Sequence, residues 1–173
     1  MTAPHRDFRP ILLGVLALVT VVGVVNDEVI ATISPKHFDV FYPPLLSIHA
    51  PWVQALCIAL VVTGGSGFTW GSLLYWVSHY GPGPQVGPRV ILKGAVAVVV
   101  ITLAVAWGLG WRTWITGNPL YSEFFYPSTE PRLVFSQTVQ LTNELVGLVS
   151  AGLWLAAIAL WRWWHRAETQ KSS

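Results

Sequence analysis

The run LVGLVSAGLWLAAIALWRWWHR, Leu145 to Arg166, decides what surrounds this chain. Sixteen residues from Leu145 to Leu160 carry no charge. At about 1.5 Å of rise per helical residue they cover most of the roughly 30 Å of bilayer hydrocarbon. Trp161, Arg162, Trp163, Trp164, His165 and Arg166 follow at once. Indole rings and arginines in one cluster suit the headgroup level, where an apolar body and a polar tip are both satisfied. With a more polar lead-in, this segment predicts a membrane-spanning helix over about 133–164.

Three further apolar stretches lie upstream, over about 10–33, 52–78 and 90–111. The expected fold is all-α: an integral-membrane four-helix bundle, forming a single transmembrane domain over residues 1–173. Composition agrees, with 53% apolar, 10% charged and ten tryptophans. Soluble chains carry roughly 25% charged residues. The first stretch has a rival reading as a secretory signal, with Arg6 and Arg9 as its basic start and Val29-Ile30-Ala31 as the cleavage site. A retained spanning helix is the expectation. Gly81-Pro82-Gly83-Pro84 and Gly87-Pro88 break the chain between the second and third stretches. The loops over 34–51 and 112–132 are longer and aromatic, with Phe38, Phe41 and Tyr42 in one and Tyr121, Phe124, Phe125 and Tyr126 in the other. These two extracytoplasmic loops should lie on the membrane surface or cap the bundle.

Orientation follows from the basic residues. Arg6, Arg9, Arg89, Lys93, Arg162, Arg166 and Lys171 fall on one side, with Asp7 and Glu168 as the acids there, so seven bases and two acids leave +5. Lys36, Arg112 and Arg132 fall on the other with six acids, leaving −3. The basic side belongs in the cytoplasm, so both termini are expected there, in a multi-pass cell-membrane protein. The acidic side favours cations over anions. With a net charge of only +2 and no basic block, nucleic acid is not an expected partner.

Helices in a bilayer meet through small residues and polar contacts, because lipid is as apolar as leucine. Cys57, Gly64, Gly67, Gly71 and Ser78 share one face of the second stretch. Gly94, Ala97, Ala104 and Gly108 line the third, and Ser136, Gln140, Asn143, Gly147, Ser150 and Trp154 stripe the fourth. These three faces are expected to meet one another. Gly64-Gly65-Ser66-Gly67 reads either as a close helix contact or as a hinge that opens a cavity.

Glu144 is the foremost candidate for chemistry, with Asn143 beside it. An intramembrane carboxylate is paired, neutral or functional. It either pairs with Arg132, Arg112 or Lys36, or serves as a proton acceptor in an outward-facing pocket. Asp27 and His49 fall at the same level and complete the candidate catalytic set. His37, Asp39, His49 and Glu123 are weak candidates for a metal site, since zinc accepts mixed nitrogen and oxygen ligands, yet their spacing fits no ligand motif. His49 and His79 flank the same helix, so bis-histidine haem is not expected, and no cofactor is. Cys57 alone makes neither a disulfide nor a CxxC site. No GxSxG, HExxH, Walker A or dinucleotide fingerprint is present.

Three functions remain. The first is an accessory or interaction subunit, contacting membrane lipids and a membrane-protein partner or a second copy of itself. The second is a membrane-embedded enzyme acting on a lipid or isoprenoid substrate, with Glu144 as acid or base. The third is a small transporter or channel subunit, for which Thr102 and Ser150 are the last polar positions toward the cytoplasm on the third and fourth stretches.

Overall fold

A computed structural model describes residues 7–42, 50–81 and 83–171. In chain order the elements are α1 (Phe8–Ile33), α2 (His37–Phe41), α3 (Pro51–His79), α4 (Pro88–Thr116), a single 3₁₀ turn (Glu123–Phe125) and α5 (Pro131–Lys171). The long helices match the four apolar stretches to within a few residues, except where α5 runs on past 164. All four are long and apolar enough to cross a membrane. The chain is therefore an all-helical, multi-pass membrane protein.

Local chemistry sets the ends. Pro51, Pro88 and Pro131 each open a helix, where the missing N–H would be unpaired in any case. Gly117, at φ 68°, closes α4 in the left-handed conformation that glycine adopts without strain. α1 runs straight through Asn26-Asp27-Glu28, and Ile30 and Ala31 within the alternative cleavage sequence are buried.

The bundle is two helix pairs, α1 against α3 and α4 against α5, with narrower contact between the pairs. Glycines bring each pair together. A Cβ on Gly67 would stand 3.0 Å from the Leu16 Cα, and one on Gly71 would stand 3.2 Å from the Leu12 Cα. In the other pair the Trp154 indole lies on Gly94, and Val139 and Phe135 lie on Gly110. This corrects two expectations. The glycine face of α3 meets α1 rather than α4 and α5. On α4 only Gly94 of the expected face packs; Ala97, Ala104 and Gly108 are exposed, while Ala95, Thr102, Ala106 and Gly110 are buried. Small residues recur at helical spacing on more than one side of α4, so spacing alone could not choose the face. The glycine-rich stretch of α3 stays helical throughout, with open space beside Gly65.

Two apolar clusters close the ends. At the basic end Ile11, Val15, Leu74, Ile91 and Ile158 pack together. At the acidic end Ile30, Phe38, Ala55, Ala106, Phe135 and Val139 do so, and Phe38 of α2 is wholly buried. The second long loop is tied to α5, where Tyr121 Oη meets Thr142 Oγ1 at 2.8 Å and Tyr126 Oη meets Thr138 Oγ1 at 2.9 Å.

Arg162 fastens the basic end. It is 4% exposed. Its guanidinium donates to the carbonyls of Val77, Tyr80, Gly81, Gly83 and Pro84. The first two are carbonyls that α3 leaves open as it ends. One fixed cation thereby joins α5 to the α3–α4 turn. Beside it, His79 links Ser78 Oγ (2.7 Å) to Asp7 Oδ2 (3.3 Å), drawing the start of α1 to the end of α3.

Two substitution sets test this packing. Gly71→Leu should destabilise the protein by about 1–3 kcal/mol through overpacking, whereas Gly65→Leu, with open space beside it, should be neutral within about 0.5 kcal/mol, both by thermal unfolding in micelles. Arg162→Leu should cost about 2–4 kcal/mol, because several buried carbonyls lose a charged donor; Arg162→Lys, a point charge without the planar fork, should restore only part.

Candidate functional site: a cavity between the helix pairs

The two pairs do not close on each other along their middle. A cavity of about 390 Å³ lies between the two apolar clusters, lined by all four long helices. Its wall is mostly apolar, with Val19, Val22, Val98, Val99, Leu103 and Leu148 among the lining side chains. Its carboxylate and amide side chains gather toward one end: Asn26 and Asp27 from α1, Gln140, Asn143 and Glu144 from α5. Asp27 is nineteen residues past Phe8 and Glu144 eighteen before Arg162, which puts both about 27–28 Å from the basic end at the helical rise. They form one polar layer near the acidic end of the spans.

Each member is held. The Trp107 Nε1–H donates to Asn26 Oδ1 at 3.0 Å, which fixes how the amide sits. Asn26 Nδ2 then donates to Asp27 Oδ1 at 3.1 Å. Asp27 is only 3% exposed, whereas Glu144 is exposed at the cavity mouth. The two carboxylates are close enough for their charges to interact. Gln140 lies beside both the Tyr42 phenol and the Glu144 carboxylate. Its Oε1 is left without a partner. Asn143 Oδ1 and Thr102 Oγ1 are buried and unpartnered in the same way, as is Trp154 Nε1 further down the wall. Tyr42, just beyond α2, has its phenol pushed well above the ordinary range by burial first, and then by the nearby Glu144 and Asp27. It stays protonated at all physiological pH values.

The candidates read from sequence separate into groups. Asp27, Asn143 and Glu144 meet at the cavity. His49 lies outside the described residues. Among the described residues the ion pairs are Lys36 with Glu130 (3.7 Å) and His79 with Asp7, so Glu144 takes Gln140 rather than Arg132, Arg112 or Lys36 as its neighbour. The weak metal candidates are dispersed: Asp39 accepts from Gln54 Nε2 at 2.8 Å, Glu123 is exposed, and no three ligating side chains converge among the described residues. Asn26, Tyr42 and Thr102 belong to the site but were not singled out for it. Asn26 stands beside Asp27 in the sequence, and both are turned inward on α1.

Two other histidine arrangements have structural explanations. Ser78, His79 and Asp7 form a serine–histidine–acid row, but Ser78 is fully buried and its hydroxyl donates to the Tyr75 carbonyl at 2.9 Å, so it presents no nucleophile. His37 is wholly buried between Phe38, Phe41 and Tyr42. Ser136 Oγ donates to the Leu133 carbonyl and so receives the His37 Nδ1–H at 2.9 Å. The chain matches no protein-family model, and no curated protein or solved structure is significantly similar to it.

Burial lowers the His37 imidazole from 6.5 to about 4, so it is neutral in the fold. The unfolded chain binds this proton below about 6.5, the folded chain only below about 4, and stability falls with pH across that window. At 1.36 kcal/mol per pH unit the loss amounts to about 3 kcal/mol by pH 4. Chemical unfolding between pH 7 and 4 should show this slope, and His37→Gln should flatten it.

Proposed function

We propose that this protein holds one amphiphilic molecule, a lipid or isoprenoid-like substrate, in the cavity between its helix pairs. The apolar chain would lie along the valines and Leu148, with the polar end against Asp27, Asn143 and Glu144. The observation that carries this reading is the cavity's asymmetry: apolar along its length, with carboxylates and unpartnered amide oxygens gathered at one end. Polar atoms left open inside hydrocarbon cost free energy unless something meets them. With the basic end in the cytoplasm, as its excess of arginine and lysine favours, the polar layer falls near the boundary of the outer leaflet. A lipid headgroup lies at that depth.

The carboxylate pair gives the site acid–base capability. A carboxyl group can donate a proton when neutral and accept one when ionised. Glu144, at the mouth, is placed to exchange a proton with the polar end of a bound molecule. Asp27, buried and held by Asn26, is its partner; Asn143 orients the ligand, and His49 in the first loop is a further candidate base. In this reading the protein is a membrane-embedded enzyme or lipid-binding protein.

A second reading, an accessory subunit of a membrane complex, draws support from the second loop. Phe124 is 88% exposed and Phe125 beside it 43%. Two adjacent exposed phenylalanines suit a partner protein, a second copy or the headgroup layer. A transport route gains less support, because Ile11, Leu74, Ile91 and Ile158 close the basic end with apolar side chains.

Filling the cavity tests the first reading. Ala151→Trp places an indole in the lining, and Leu153→Trp places one on an exposed face as a control. Native mass spectrometry from lipid nanodiscs should find an amphiphile on the unmodified protein and the control, and at least tenfold lower occupancy with Ala151→Trp. Equal occupancy in all three, or none in the unmodified protein, would end the reading.

A further inference from the structure

We propose that the head accepted by this cavity is a protonated amine, so that the ligand is a single-chain cationic amphiphile. The inference rests on the preceding reading and narrows it to one headgroup chemistry. The cavity lining contains Asp27 and Glu144 but no lysine, arginine or histidine. Asn26 Nδ2 is held on Asp27. Two amide oxygens beside these acids are buried without a donor: Gln140 Oε1, on a residue only 9% exposed, and Asn143 Oδ1.

An anionic head would meet two carboxylates and two carbonyl oxygens with no cation to balance it. A hydroxyl brings one donor. An ammonium brings three donors and a positive charge, which matches the open acceptors and relieves the repulsion between the acids. Charge complementarity counts for more here than in water, because the site faces hydrocarbon on most sides. Size agrees as well. At about 390 Å³ the cavity is near the lower limit for pockets that enclose one small ligand, which suits one chain rather than two. Trp154 Nε1, an unpartnered donor in the wall, is ten residues along α5 from Glu144, about 15 Å away, and so does not serve the head.

Three probes of equal chain length test the assignment: dodecylamine, dodecanol and dodecanoate, titrated at pH 7 into the full chain in phosphatidylcholine nanodiscs. The readout is the saturable rise in unfolding temperature. Dodecylamine should reach half-effect at a concentration at least tenfold below that of dodecanol, and dodecanoate should produce no saturable rise. In Asp27→Asn/Glu144→Gln the gap between amine and alcohol should vanish. Glu144→Gln alone, at the exposed mouth, should narrow it severalfold and serves if the double variant does not fold. A response to dodecanoate equal to that of the amine, or an amine advantage undiminished in both variants, would overturn the headgroup assignment. If all three probes act alike and Ala151→Trp abolishes the response, the cavity reading stands and this one fails. If none shifts the unmodified protein, the cavity reading itself falls.

Discussion

Hydrocarbon offers no hydrogen-bond partner, so every polar group on the four spans must find one within the chain or in something the chain holds. That requirement organises the molecule from end to end. At the basic end it gathers five backbone carbonyls around the Arg162 guanidinium. On the faces of the helices it folds Thr63, Ser66, Thr69 and Thr113 back onto carbonyls four residues earlier, where their hydroxyls are spent locally. Near the acidic end it links Trp107, Asn26 and Asp27 in one row across α4 and α1. Gln140 Oε1, Asn143 Oδ1 and Thr102 Oγ1 are left without a partner where they line the space between the pairs.

That space follows from how the helices touch. Glycine permits the closest approach, and four glycines serve contacts within pairs: Gly67 and Gly71 for α1 on α3, Gly94 and Gly110 for α4 on α5, while Gly14 of α1 takes Leu92 of α4 between the pairs. Between the pairs the contacts are made by larger side chains at the two ends, Ile11 with Ile91 and Ile158 at one and Ile30 with Ala106 and Phe135 at the other. Two tight pairs held apart at both ends by bulk leave a gap along the middle. α2 then brings Tyr42 to the polar end, where its protonated phenol adds no charge beside Asp27 and Glu144. The first aromatic loop is therefore part of the site as well as a lid on the bundle.

Much of this was legible in the chain, for a physical reason. Hydrocarbon thickness imposes a length, so four long apolar stretches give four helices, and α1, α3 and α4 begin and end close to where hydropathy put them. The stripe on α5 was legible too, since Ser136, Gln140, Asn143 and Trp154 are conspicuous among leucines. Pairing was not. A helix made of alanine, glycine and valine offers similar small-residue spacing on several sides, and the choice on α4 is made by Trp154 seeking Gly94 and by Trp107 seeking Asn26. Those are contacts between residues sixty and eighty-one positions apart, which no local period encodes. Asp27 and Glu144 were each visible as unusual acids; their meeting depends on α1 and α5 facing each other across the cavity.

The partition of polar groups carries the final step. A bundle that needed only to be stable would bury apolar residues at positions 140 and 143, because unpartnered buried acceptors each cost about 1–3 kcal/mol. At the basic end the chain goes to the point of surrounding one arginine with five carbonyls. The exceptions along the cavity are then the informative ones. They occur on three of the lining helices' side chains at once, Thr102, Gln140 with Asn143, and Thr20 close by on α1, and they accompany two acids with no base among the lining residues. A fold that leaves its open acceptors together, in a space large enough for a ligand, shifts the cost of satisfying them onto whatever enters. Affinity then comes from groups the protein alone cannot complete, and it is greatest for a partner that brings donors and positive charge.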